Sequence, residues 1–181
     1  ATKIQQLLDD PMLEKDKFFY IILRNSAHLC SYKEAEYNLK ECIKFFNTHG
    51  TLFERATIYN NISVIQIWNG IETYSEAKNN LKKSINIHQS IQSNEIFEPY
   101  CNLSVLLFME GKNTDALRYA NLALEELPHR LEMDVIILNI NKMIIEVALG
   151  KTDLNTLYQE LKNYCTKPVA FKDPWIMFQI S

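Results

Sequence analysis

Apolar residues recur along this chain at helical spacing. Ala35, Leu39, Cys42 and Ile43 fall at i, i+4, i+7 and i+8, the pattern of one buried helix face, and Ala77, Leu81, Ser84 and Ile85 repeat it. The likeness extends to identity. The stretch Ser31-Tyr-Lys-Glu-Ala-Glu-Tyr-Asn-Leu-Lys-Glu-Cys-Ile43 recurs 42 residues later as Thr73-Tyr-Ser-Glu-Ala-Lys-Asn-Asn-Leu-Lys-Lys-Ser-Ile85. A third copy runs from Asn113 to Leu124. Self-similarity with a period near 40 means stacked helix pairs, because one such unit cannot bury its own apolar face. The pattern therefore predicts an all-α, right-handed superhelix of about four antiparallel helix pairs. Its units lie near 11–50, 51–92, 94–130 and 131–166, in a single repeat domain spanning 1–181.

Local signals place the helix ends. Asp10-Pro11 supplies a cap and a first-turn proline for a helix over 11–29. Ser31-x-x-Glu34 and Thr73-x-x-Glu76 read as capping boxes, each opening the second helix of a pair. Further helices are predicted over 52–68, 94–109, 113–127, 131–149 and 153–165. Of the four glycines, Gly70, Gly111 and Gly150 are spaced 41 and 39 apart and mark an equivalent turn in successive repeats. Asp173-Pro174-Trp175 opens a helix over 174–181 that is cut short, so the chain reads as a piece of a longer protein.

Composition removes several function classes. A net charge of −3 carries no basic excess for nucleic acid. No apolar run approaches the ~20 residues needed to span a membrane. Cys30, Cys42, Cys101 and Cys165 form no CxxC pair and sit in apolar periodic segments, as reduced thiols in a cytoplasm would. The four histidines are scattered without metal-ligand spacing, and no phosphate-binding glycine loop or nucleophile elbow is present. Glu34 and Glu76 are explained as caps rather than as paired catalytic acids. The reading is a non-enzyme without cofactor or metal.

The third unit carries a resemblance. From Phe97 to Arg130, the residues Tyr100, Leu103, Ser104, Leu107, Gly111, Ala116, Ala120, Ala123 and Pro128 fall without a gap on the signature positions of the tetratricopeptide repeat family. The chain resembles that family strongly here and more weakly at both ends. The turn before Ala77 is two residues longer than in this match, and Gln66 stands where a large apolar residue is usual.

The resemblance implies that the first helix of each pair lines a concave face. Its lining would be Asn60, Val64, Ile67 and Trp68, then Cys101, Asn102, Val105, Phe108 and Met109. The helical wheel agrees: 100, 103, 104 and 107 form the stripe that packs within the repeat, while 101, 105, 108 and 109 form an adjacent apolar stripe. That second stripe is either covered by the next helix pair or open to a ligand, and Trp68 is either an anchor or core. Trp68 and Met109 stand where a carboxylate clamp would want lysine, which argues against capture of acidic tails.

The family implies a protein or peptide partner. The long, degenerate units are similar to the C-terminal repeats of bacterial STAND-type signalling ATPases, which implies a sensor or effector-recognition part of a larger regulator. A peptide-pheromone receptor or free-standing scaffold is the alternative. Val135 to Val147 is apolar almost all round, so something covers it: the 174–180 helix, further repeats, or a second copy in a homodimer.

Overall fold

The computed structural model describes residues 17–25, 31–127 and 132–165. Among them are eight α-helices and no strand: α1 (Lys17–Asn25), α2 (Tyr32–His49), α3 (Leu52–Asn69), α4 (Tyr74–Ser90), α5 (Phe97–Met109), α6 (Asn113–Glu126), α7 (Glu132–Ala148) and α8 (Leu154–Cys165). Short 3-10 turns, Ile71–Thr73 and Asn94–Ile96, precede α4 and α5. The chain is all-α, as its periodicity predicts. The expected helix over 174–181 and the flanks of the one over 11–29 lie outside the described residues. The helices group into two compact units divided between Ile87 and His88, within α4.

Side-chain caps define three of the starts. The Ser31 amide donates to the Glu34 carboxylate at 3.3 Å, closing the expected box. A second box forms at a site the sequence reading passed over: the Thr51 amide donates to Glu54 at 2.9 Å, and the Glu54 amide donates to the Thr51 hydroxyl at 3.2 Å. Asp153 accepts from the Thr156 amide at 2.9 Å and starts α8.

The expected box at Thr73 is not made. Its hydroxyl donates backwards, to the carbonyls of Gln66 and Gly70, and Thr73 ends the extra 3-10 turn instead of capping α4. The two additional residues at this turn are the cause. They also separate Gly70 from its supposed equivalents. Gly111 and Gly150 take left-handed conformations at φ +75° and +67°, each within a Schellman bond pair. Gly70 lies at φ 113° and ψ −179°, a region open almost only to glycine.

In the first unit, α3 packs on α2. One cluster joins Leu23, Cys42, Phe46 and Ile58, and another joins Ala35, Leu39, Ile62 and Ile65. Gln66, which replaces the usual apolar residue, is fully buried and bonded on both sides. Its Nε2 donates to Glu36 on α2 at 3.2 Å, and its Oε1 accepts from Asn80 on α4 at 3.1 Å. Asn69 and Lys40 complete the shell of Glu36 at 2.8 Å each.

In the second unit, α5 and α6 pack through Ser104, Ala116, Ala120 and Ala123, all essentially without exposed surface. Tyr100, Leu103 and Leu107 fill the remaining space. Small residues let the two backbones approach closely, and the Ser104 hydroxyl uses that proximity to donate to the Ala116 carbonyl at 2.9 Å. Against α8, α7 buries Ile136 and Ile140 beside Leu161 and Tyr164.

Candidate functional site

The nine residues expected to line a concave face divide between the two units. In the first, Asn60 and Ile67 are buried and offer no open surface, Val64 is half-buried, and Trp68 is 44% exposed. Within this unit α3 is engaged on two sides, by α2 through Ile58 and Ile62 and by α4 through Gln66 and the Ala56 carbonyl. A helix held on both sides leaves a narrower free face than the wheel suggests.

In the second unit the expected stripe behaves differently. Tyr100, Leu103, Ser104 and Leu107 are buried, whereas Cys101, Asn102, Val105 and Phe108 are half-buried and face α7 across two adjoining hollows. The first, of about 190 Å³, is bounded by Phe97, Glu98, Cys101 and Asn102 of α5 and by Asp134, Ile137 and Leu138 of α7. The second, of about 90 Å³, lies between Val105 and Phe108 of α5 and Asn141, Ile144 and Ile145 of α7. At their junction the Asn141 side-chain amide donates to the Cys101 sulfur at 3.7 Å. Met109, 44% exposed at the end of α5, borders neither hollow.

The α7 wall escaped the sequence reading. That reading took the helix as apolar almost all round, but Asp134 and Asn141, seven residues apart, share one face and mark where it turns to the groove.

Electrostatics differ along the groove. Burial, then the charges of Glu95 and Asp134, push the Glu98 carboxyl up to about 7, although Glu98 as a residue keeps exposed surface. Burial likewise pushes the Cys101 thiol up to about 11, so it stays protonated and is a poor nucleophile. The second hollow has Asn141 as its polar residue and is otherwise apolar. Among the described residues no three His, Cys, Asp or Glu side chains converge as a metal site requires. None of the described helices is long and apolar enough to cross a membrane.

No family model and no curated protein matches this sequence. Solved structures do match in fold. BtubC (BKLC) from P. vanneervenii superposes with a TM-score of 0.68 at 17% identity, over 91% of this chain and 71% of that one. The nearly identical TPR-like repeats of a Podosopora anserina protein described as a kinesin light chain superpose with a TM-score of 0.61 at 12% identity, over 86% and 76%. With the helix pairs, the small-residue seams and the absence of strands among the described residues, these likenesses establish the fold as an all-α, TPR-like helical repeat.

Proposed function

We propose that the chain is a non-catalytic protein- or peptide-binding repeat domain whose partner segment lies in the groove between α5 and α7. One observation carries the reading. The second stripe of α5 (Cys101, Asn102, Val105 and Phe108) is not needed for packing on α6, and it faces α7 across hollows that the two helices leave unfilled. Hollows of about 190 and 90 Å³ fall short of the roughly 300–1,000 Å³ usual for enclosed small-molecule sites. A row of shallow pockets suits side chains projecting from a peptide.

The degenerate units of about 40 residues support a finer reading: this is the recognition part of a larger bacterial regulator, acting in the cytoplasm and contacting its partner without nucleic acid or membrane. The test is selection of peptides from a displayed random library on the purified chain. Selected peptides should lose at least about 1–2 kcal/mol of binding energy on Phe108→Ala, as truncated anchors do. Selection of no peptide, or binding indifferent to Phe108 and Val105, would refute the groove.

A further inference from the structure

In the first unit, the polar side chains along one face of α3 bridge α2 and α4, except at the start of the helix. Gln66 on this face bonds to Glu36 of α2 and to Asn80 of α4. Tyr59, seven residues earlier, also reaches both sides. Its hydroxyl donates to Asn47 of α2 at 3.3 Å, and the Lys83 ammonium of α4 lies 5.0 Å from its ring centre. Arg55 comes one turn before Tyr59 on the same face and breaks the series. It is half-buried, its Nε is walled off from solvent, and among the described residues its guanidinium meets no acceptor. Lys83 is exposed and likewise has no carboxylate within ion-pair distance among them. From this unmatched pair we infer that Arg55 and Lys83, beside Tyr59, form a seat for an aspartate or glutamate side chain of a protein partner. The carboxylate accepts hydrogen bonds from the Arg55 Nη groups and the Lys83 Nζ.

Folding alone gives no reason for this arginine. A desolvated donor without an acceptor is destabilising, and native proteins rarely keep one without a use. Arg55 also stands in the first turn of α3, where the helix dipole opposes a cation and favours an anion. The neighbouring Glu54 offers no relief, being held by Lys17 at 2.7 Å and by the Thr51 cap. The surrounding charge has one sign. No acid occurs between Glu54 and Glu72 or between Glu76 and Glu95, whereas Arg55, Lys78, Lys82 and Lys83 all fall there, in a chain whose net charge is −3. That net charge and the small number of cations count against a nucleic acid, which proteins hold by neutralising many phosphates. Leu52, exposed and three residues before Arg55, neighbours it on the helix surface. An apolar neighbour suits the aliphatic atoms of a polypeptide rather than a free inorganic anion. The seat belongs to the first unit and does not rest on the groove reading. It is also distinct from the expected concave stripe on α3. Val64 follows Arg55 by nine residues, about two and a half turns at 3.6 residues per turn, and so lies on the opposite side of the helix.

The experiment uses the full chain and peptides blocked at both termini, so that a side chain supplies the only carboxylate. Matched sets carry Glu, Gln or Lys among Leu, Ser and Ala residues. Glu peptides should bind about tenfold more tightly than Gln peptides, and Lys peptides more weakly still, with the preference shrinking in high salt. Arg55→Gln and Lys83→Gln should each erase the Glu preference, whereas Phe108→Ala should leave it unchanged. Folding supplies a second readout that needs no ligand. Arg55→Met keeps an aliphatic stem and removes the orphaned donor, so its melting temperature should equal or exceed that of the parent. A clear fall in that temperature would show that the arginine serves the fold and would overturn the inference. Absence of a Glu preference, or a preference that survives Arg55→Gln, would overturn it too. Tighter binding of inorganic phosphate or oligodeoxythymidylate than of any Glu peptide, lost on Arg55→Gln, would assign the seat to phosphate and overturn the carboxylate reading.

Discussion

Cys42 and Ser84 occupy the same place in the 42-residue repeat, and they do the same work. The Cys42 thiol donates to the Tyr20 carbonyl at 3.5 Å, and the Ser84 hydroxyl donates to the Ala56 carbonyl at 2.9 Å. Each is fully buried and ties the second helix of a pair to the backbone of the first. Cys42→Ser should therefore stay within about 1 kcal/mol of the parent in urea denaturation, whereas Cys42→Leu should lose about 1–3 kcal/mol by overpacking. Burial pushes the Cys42 thiol up to about 12, so native protein should also resist alkylation at this residue. Helix ends yield a second residue-scale prediction. Gln92 sits at φ 51° with the bond pair found at Gly111 and Gly150: its amide donates to Gln89, and the Ser93 amide to His88. Gln92→Gly should stabilise by about 0.5–1 kcal/mol by removing left-handed strain, read as a raised melting temperature. Glycine spacing made two of these turns legible in the sequence. The third was hidden because a glutamine holds it, and Gly70 belongs to a turn lengthened by two residues.

At the scale of elements, the sequence reveals seams better than faces. Ala116, Ala120, Ala123 and Ser104 announced close packing of α5 on α6, since small residues at helical spacing have few other uses. Ala116→Leu should cost about 1–3 kcal/mol, and an unchanged denaturation midpoint would contradict the seam. The second stripe of α5 was legible for a related reason, since it remains after the seam is assigned, but pattern alone does not say whether that stripe is covered or open. The α7 wall was not, because wheel patterning cannot tell a helix buried on several sides from one with a polar edge at a groove. Nor could Gln66 be understood from pattern alone, where it looks like a defect. In the structure it spans α2, α3 and α4 through Glu36 and Asn80. Gln66→Leu should therefore destabilise by about 1–3 kcal/mol although leucine suits the repeat pattern, because it strands the side-chain amide of buried Asn80 and takes one bond from half-buried Glu36. A stabilised Gln66→Leu protein would show that the network adds nothing to folding.

For the whole molecule, the two units should respond to pH with opposite signs. In a repeat architecture stability is carried by units and their neighbours, so a change in one need not spread through the other. In the first unit, burial alone would raise the Glu36 carboxyl, but hydrogen bonds from Lys40, Gln66 and Asn69 outweigh it and hold the group below its ordinary 4.5. Its contribution is present above 4.5 and is lost as pH falls through the lower folded value. In the second unit the Glu98 carboxyl is raised from 4.5 to about 7. Below 4.5 both states hold its proton. Between 4.5 and 7 the unfolded chain releases the proton first, so folding weakens as pH rises and the loss levels off above 7. His88, lowered by burial, pulls this unit the other way as pH falls below 6.5, so the Glu98 effect is best read as a difference between variants. Hydrogen exchange of α5 and α6 amides, corrected for intrinsic rates, should show Glu98→Gln gaining protection over the parent as pH rises from 5 to 8. Glu36→Gln should lose protection in α2 and α3 at neutral pH, with the gap closing below 4.5. A parent and Glu98→Gln protein that keep the same pH dependence would show that the carboxyl is as well hydrated in the folded unit as in the unfolded chain.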